Sequence, residues 1–510
     1  MKDIIKLYEI VENKTLQNLP LLNFERKNKE EELLLQIKEG YFQSDAEAAA
    51  KMYGTDDKDV RYKSLKYRLK QKLLNHLYFI DLEKIRVKFH WKNELLLWEN
   101  FLKARILMEE GYAKMGEKML RKALLQAEEN AFTNIAYLIA NLLIDYYVKE
   151  QNFPAYRQMQ SLIERLREQQ NIEEEAQDAY RLAMATLGKS YFSRIHFMEE
   201  ARGIAASLRS IWEQTGNYNV FELYYRLQVA IYSYKGEYES MLEFLKEVDA
   251  IQSQYTIFSS RFDLWHHRTL ELEACLHVFR IEEGLSLAKR YAPLFPSASE
   301  SWFDFHAVYF RLACFAGNYQ EAERLIYAAF NNEYMQQLPQ ESKRMWELMA
   351  AYLAYITNDK RLQHLFDVET YYKRLPDYDR HQLTFHLPLL ILQIAYAVRV
   401  QDYEAVQERV ALLQKYTNQN LRANISPRTR LFFRALKIML DNDFKQKSSR
   451  SKGRYTQKQL SERQSKLEGD YFGEWEIIPY QELWNAMTMD LVREPMQKRG
   501  RPKKKKQAEK

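Results

Sequence analysis

Short breaks between amphipathic stretches recur along this chain at nearly constant spacing. No other feature of the sequence constrains the fold as much. The breaks stand at Glu110-Gly111-Tyr112, Gln151-Asn152-Phe153, Arg194, Gly236-Glu237-Tyr238, Arg280, Gly317-Asn318-Tyr319, Asn358-Asp359 and Gln401-Asp402-Tyr403. Measured between Gly111, Gln151, Arg194, Gly236, Arg280, Gly317, Asn358 and Gln401, the intervals are 40, 43, 42, 44, 37, 41 and 43 residues. Asp441-Asn442-Asp443-Phe444 is a ninth candidate, 40 residues past Gln401. A period near 41 residues holds two helices, and a helix pair of that size can bury its apolar faces only against neighbouring pairs. The chain has 14 Gly and 11 Pro in 510 residues. Average usage, roughly 7% and 5%, would give more than twice as many of each. Strands, hairpins and phosphate loops need those residues at their turns, so long helices are the expected alternative.

Some units resemble the tetratricopeptide repeat. In Gly317-Asn318-Tyr319-Gln320-Glu321-Ala322 the Gly ends a first helix, the aromatic packs back, and Ala322 admits a second helix closely, with Ile326 and Ala329 at the family's spacing. The unit at Gly111 matches similarly through Gly116, Leu120 and Ala123, and Gly236 marks a further break of the same kind. The family's Trp-Leu-Gly signature is missing from the first helix, where Phe310 holds the small-residue position, and these units run about seven residues longer than the family's. The expectation is an all-α fold: a right-handed α-solenoid of about eight helix pairs over residues 89–445. The resemblance implies a concave face that binds a protein or peptide.

Residues 1–88 do not follow the period and read as a separate helical domain. Ser44-Asp45-Ala46-Glu47 is a capping box, its helix stops at Gly54, and a second helix starts near Asp59. There Tyr62, Leu65, Leu69, Leu73 and Leu77 form an apolar stripe, while Arg61, Lys63, Lys66, Arg68, Lys70 and Lys72 crowd the remaining surface. Ala50, Gly54 and Val60 fit the spacing of a helix-turn-helix, which this segment resembles, although Lys63 stands where that family often has an apolar residue. The resemblance implies that Arg61, Lys63, Lys66 and Lys70 face DNA in the major groove. The other reading is a small helical cap on the array, since arrays need atypical ends.

Basicity is concentrated at the C-terminus. The net charge is +6, and residues 497–510 alone carry eight cations and one carboxylate, so the body is nearly neutral. Residues 446–470 read as a flexible linker, rich in Lys, Ser, Gln and Arg. Residues 471–492 regain apolar and aromatic side chains, among them Phe472, Trp475, Ile477, Ile478, Tyr480 and Trp484, and would dock as a peptide on the array or on a partner. Residues 493–510 read as a disordered basic tail. Within it Arg499-Gly500-Arg501-Pro502 and the lysines that follow resemble an AT-hook. The resemblance implies that Arg499 and Arg501 enter the narrow minor groove of A·T-rich DNA while Lys503, Lys504, Lys505 and Lys506 hold the phosphates. The alternative is a basic end with affinity for any polyanion.

The candidate catalytic motifs fail on physical grounds. Ala183 to Ser190 satisfies a loosened Walker A pattern, but Tyr180 to Leu187 read as helix and no strand precedes them. His266 and His267 are adjacent on a helix and point apart, and His381 and His386 are poorly spaced for shared ligation. No cofactor or metal is expected. Cys275 and Cys314 read as small buried hydrophobes at similar positions of neighbouring repeats. Two cysteines, a charged N-terminus and no long apolar run give the expectation of a cytoplasmic protein without a membrane span. Three functional readings follow: a scaffold for a protein partner with DNA contact through its ends, a DNA-binding regulator with a repeat-built sensor domain, and an enzyme whose site forms only in three dimensions. The first is preferred. The sequence leaves the oligomeric state open.

Overall fold

The computed structural model describes residues 4–5, 7, 28–39, 41–42, 44–77, 89–189, 191–254, 257, 261–373, 383–420, 427–462 and 476–492. All regular elements among these residues are helical, and the sole extended pairing is an isolated bridge between Lys445 and Val492. The α-helices run α1 Lys29–Lys38, α2 Asp45–Tyr53, α3 Val60–His76, α4 Phe89–Glu109, α5 Ala113–Glu129, α6 Thr133–Lys149 and α7 Phe153–Leu187. There follow α8 Tyr191–Thr215, α9 Tyr218–Lys235, α10 Tyr238–Gln252, α11 Leu264–His277, α12 Ile281–Tyr291, α13 Glu300–Phe315 and α14 Tyr319–Phe330. The last are α15 Gln340–Thr357, α16 Leu383–Arg399, α17 Tyr403–Asn420, α18 Pro427–Leu440, α19 Gln446–Ser461 and α20 Tyr480–Asp490. The chain divides into two compact units, residues 1–168 with 260–262 and residues 169–259 with 263–510.

A single hydrogen-bonded turn underlies the periodic breaks. At Gly111, Gln151, Gly236, Gly317 and Gln401 the backbone enters the left-handed region. In each case that residue's N–H donates to the carbonyl three back, and the next N–H donates to the carbonyl five back, as in Tyr112 N to Leu107 O (2.8 Å), Asn152 N to Tyr147 O (3.0 Å) and Asn318 N to Ala313 O (2.9 Å). This is the Schellman closure, which satisfies orphan carbonyls at a helix C-terminus and starts the next helix at once. Ala131, Phe279 and Asp443 close α5, α11 and α18 in the same way. Asn358 is left-handed too, with a single bond to Tyr355 O. Most of these positions are not glycine, so repeated tertiary packing holds a conformation that an isolated helix end would leave to Gly.

Consecutive helices pack on one another within each unit: α4 on α5 and α5 on α6, then α8 through α17 in order. Helix α4 also reaches α6, and α11 reaches α13. In the first unit, Leu33, Leu34, Phe42, Ala48, Ala49, Tyr62, Leu65, Leu69 and Leu73 form one core among α1, α2 and α3. A second core joins α4 to the start of α7 through Leu97, Leu120, Ala123, Ile139, Leu143 and Leu166. The second unit's core centres on α13, α15 and α16 with Phe305, Phe310, Trp346, Leu353 and Leu390. The repeat positions sit at contacts: Leu120, Ala123, Ala322 and Ala329 are fully or almost fully buried. A Cβ on Gly116 would fall 2.8 Å from the Ala104 carbonyl oxygen, so this glycine sets how closely α5 approaches α4. Cys275 and Cys314 are buried free thiols near the ends of α11 and α13.

Two sequence expectations need correction. No break occurs at Arg194, which lies inside α8. Between Ala155 and Leu187 the chain has neither Gly nor Pro, so α7 continues for 35 residues and ends at Gly188. At ~1.5 Å per residue that is about 52 Å of unbroken helix. It joins what the period would make the second helix of one pair and the first of the next. Residues 446–461, read above as linker, are the helix α19. Its inner face is Ser449, Gly453, Thr456 and Leu460, spaced four, three and four apart. Small side chains there let Trp484 of α20 lie against the helix: a Cβ on Gly453 would come within 2.8 Å of the Trp484 ring.

Candidate nucleic-acid interface

The N-terminal helices are positioned by the caps the sequence encodes. Ser44 Oγ accepts from the Glu47 N–H at 3.3 Å, Gly54 closes α2 in the left-handed conformation, and Asp59 caps α3. Helix α3 turns Tyr62, Leu65, Leu69 and Leu73 into the core and its cations outward. Most of these cations meet carboxylates of their own domain. Arg61 pairs with Asp59 at 2.8 Å and Lys66 with Asp45 at 2.7 Å. Arg68 and Lys72 both reach Glu30, each at 2.6 Å. Burial opposes ionisation of Glu30, yet hydrogen bonds from Lys72 and Arg68 hold its carboxyl below the usual range. Asp45 follows the same pattern, burial being outweighed by Lys66 and Tyr62, and the Arg61 hydrogen bond depresses Asp59. Lys63 is exposed. The pairs of Lys66, Arg68 and Lys72 tie α3 to α2 and α1, and every pair spends part of the positive field a DNA reader would present.

Arg499, Arg501, Lys503, Lys504, Lys505 and Lys506 lie outside the described residues, as do His381 and Trp475. The described chain ends at Val492, whose carbonyl accepts from the Gln446 N–H at 3.0 Å. The segment before it is held firmly. Arg428 forks onto Glu476 with two bonds of 2.8 Å, Arg399 Nε pairs with Asp490 at 2.9 Å, and Phe432 stacks on Tyr480 with ring centroids 4.6 Å apart. Of the two docking modes the sequence allowed for this segment, residues 476–492 adopt the intramolecular one.

One cluster of polar groups in the second unit is joined through His267. The Tyr225 hydroxyl lies 3.1 Å from His267 Nδ1, His267 Nε2 lies 3.2 Å from Asp249, and Arg268 forks onto Asp249 at 2.7 and 2.8 Å. Burial opposes ionisation of Asp249, but bonds from His267 and Arg268 hold it down at about 2. His267 is fully buried while His266 is exposed, so the adjacent histidines do point apart. The cluster bonds α9, α10 and α11 together. Among the described residues, no group of three or more His, Cys, Asp and Glu is arranged to hold a metal, and no helix is long and apolar enough to cross a membrane.

Two surfaces were missed in the sequence. Helix α4 exposes Trp98, Leu102 and Ile106 at 40, 50 and 54%, an apolar stripe four residues apart at each step. The signal was present in the spacing but is the same one a core-facing stripe gives. Helix α19 presents cations opposite its small-residue face, hidden in a composition that reads as linker. Comparison of the chain with protein-family profiles, with curated proteins and with solved structures finds no match.

Proposed function

We propose that this chain is a non-enzymatic, cytoplasmic helical-repeat scaffold that captures a protein partner and contacts DNA through its ends. The observation that carries the reading is the α4 stripe. Three large apolar side chains in line on a solvated helix leave a surface that water penalises and a partner's amphipathic helix would cover. The regular Schellman closures and the consecutive packing support an α-solenoid of tetratricopeptide type. A test is to select helical peptides on the full chain and titrate them against Leu102→Glu and Ile106→Glu. The stripe predicts at least about ten-fold weaker binding for both variants, a loss of roughly 1.4 kcal/mol or more. Peptides bound equally by wild type and variants would overturn the assignment of α4.

The DNA-binding regulator is the second reading, favoured by the capped α2, the Gly54 turn and the following basic helix. A salt series with A·T-rich and G·C-rich duplexes tests it on the full chain, on a chain ending at Gln497, and on Arg499→Ala with Arg501→Ala. An A·T preference that vanishes with the two arginines supports the hook. The absence of duplex binding at moderate salt leaves a scaffold without DNA contact.

A further inference from the structure

We infer that α19 is a second DNA-contacting element, a phosphate-binding face for duplex DNA; this rests on the reading that the C-terminal end meets DNA. From Lys445 to Ser461 the chain has six cations, Lys445, Lys447, Arg450, Lys452, Arg454 and Lys458, and no carboxylate. The buried residues Ser449, Gly453, Thr456 and Leu460 fix the helix's orientation. At 100° per residue, Lys447, Arg454 and Lys458 fall on the opposite side, and all three are exposed. Ser451 and Tyr455 are exposed as well, Tyr455 at 66%. Hydroxyls between cations are common partners of phosphate oxygens.

The stripe has a suitable length. Lys447 and Lys458 are eleven residues apart, about 16 Å along the helix at ~1.5 Å per residue. A duplex presents a phosphate every ~3.4 Å of each strand, so the stripe spans about five phosphates. Unlike those of α3, most of these cations are not committed to carboxylates. Lys458 lies 3.6 Å from Glu462 and Lys445 3.3 Å from the exposed Asp443. Arg450 donates to the Thr488 hydroxyl at 3.2 Å. Lys447, Lys452 and Arg454 form no ion pair among the described residues. A membrane surface fits less well, because a basic amphipathic helix binds lipid by inserting its apolar face. The less polar face of α19 lies beneath Trp484.

The described chain ends beside this helix. Val492 is hydrogen-bonded to Gln446 in the first turn of α19, at one end of the cationic stripe. Arg499 follows seven residues after Val492, and seven residues span at most about 25 Å. A duplex held by α19 is therefore within reach of Arg499, and each contact raises the effective concentration of the other.

The test uses the full chain and fluorescence anisotropy with A·T-rich and G·C-rich duplexes over a salt series. Wild type is compared with Lys447→Gln/Arg454→Gln/Lys458→Gln and with Arg499→Ala/Arg501→Ala. The triple variant is expected to bind both duplexes about ten-fold or more weaker, and to flatten the log K against log salt slope by about 2 to 3. Any A·T preference should survive, because phosphate contacts carry no sequence information. The substituted side chains face solvent, so circular dichroism and the melting midpoint should match wild type, and Arg454→Lys should bind normally. An unchanged slope in the triple variant, with binding lost in the arginine variant, would overturn the role of α19 and leave DNA contact to the tail alone. Absence of salt-dependent duplex binding by wild type would overturn both readings. Phosphatidylserine vesicles bound more tightly than duplex, with loss in the triple variant, would overturn the assignment to DNA and give the surface to a membrane.

Discussion

His306 lies under Trp302, with ring centroids 3.8 Å apart, and its Nδ1 is 2.7 Å from the Trp302 carbonyl oxygen. Burial keeps the imidazole neutral and lowers its pKa to about 4, against the pull of that hydrogen bond. In the unfolded chain the same group titrates near ~6.5. Between those values the unfolded state binds the extra proton, so the stabilisation from a neutral His306 is full above about 6.5 and is lost as pH falls towards 4. The loss is on the order of 2–3 kcal/mol. Thermal unfolding followed between about pH 7 and about pH 4 should show a falling midpoint that flattens in His306→Asn; parallel curves for the two proteins would rule the assignment out. Glu321 acts in a lower window. The Arg324 hydrogen bond holds it at about 2 despite partial burial, so its contribution fades only as pH falls below the ordinary glutamate range. Cys275, pushed up to about 12 by burial, is a thiol and not a thiolate at neutral pH, which suits a packing role.

Helix α7 carries the clearest prediction for a single element. Its middle has no cap, no glycine and no proline, and Gln169 there is exposed. Gln169→Pro removes one ladder bond and clashes with the preceding turn, a cost of about 3 kcal/mol or more, whereas Gln169→Ala should be neutral or slightly stabilising. The melting midpoint and protease sensitivity near residue 169 report this, and a Pro variant indistinguishable from Ala would mean the helix is already broken there. The same helix shows why one break was misplaced. Gly111, Gly236 and Gly317 announce a Schellman closure through residue type, Pro154 marks the helix that starts after Gln151, and Asn358 and Gln401 stand in short polar breaks. Arg194 fits the period but has no turn residue beside it, and the interruption in that stretch is marked by Gly188. The α19 case is different. Helical periodicity is sought in large apolar residues, but Ser449, Gly453 and Thr456 pack against Trp484 through small volume, which hydrophobicity does not register. For the candidate DNA surfaces, the cations of α3 were legible and their partners were not, because Glu30 lies 38 residues before Arg68.

At the scale of the whole chain, residues 476–492 complete the core of the second unit. Ile477, Ile478, Leu483, Trp484 and Met487 are each at most 1% exposed, and α20 touches α15, α16, α18 and α19. A chain ending at Val492 should therefore melt like the full protein. One ending at Glu462 should melt well below it, and Trp484→Ala alone should cost about 3–5 kcal/mol. Equal midpoints for all of these would show that the segment is not needed for the fold. The arrangement also has a temporal side. Synthesis at ~5–20 residues per second delivers Val492 roughly 3–10 seconds after Leu440. Throughout that interval Phe432 and its neighbours lack the tyrosine and tryptophan that cover them. A nascent chain stalled before residue 476 would keep that apolar surface open to chaperones and proteases, and a finished one would close it. Once α20 is in place, Trp484 and Tyr480 cover that surface and are themselves buried.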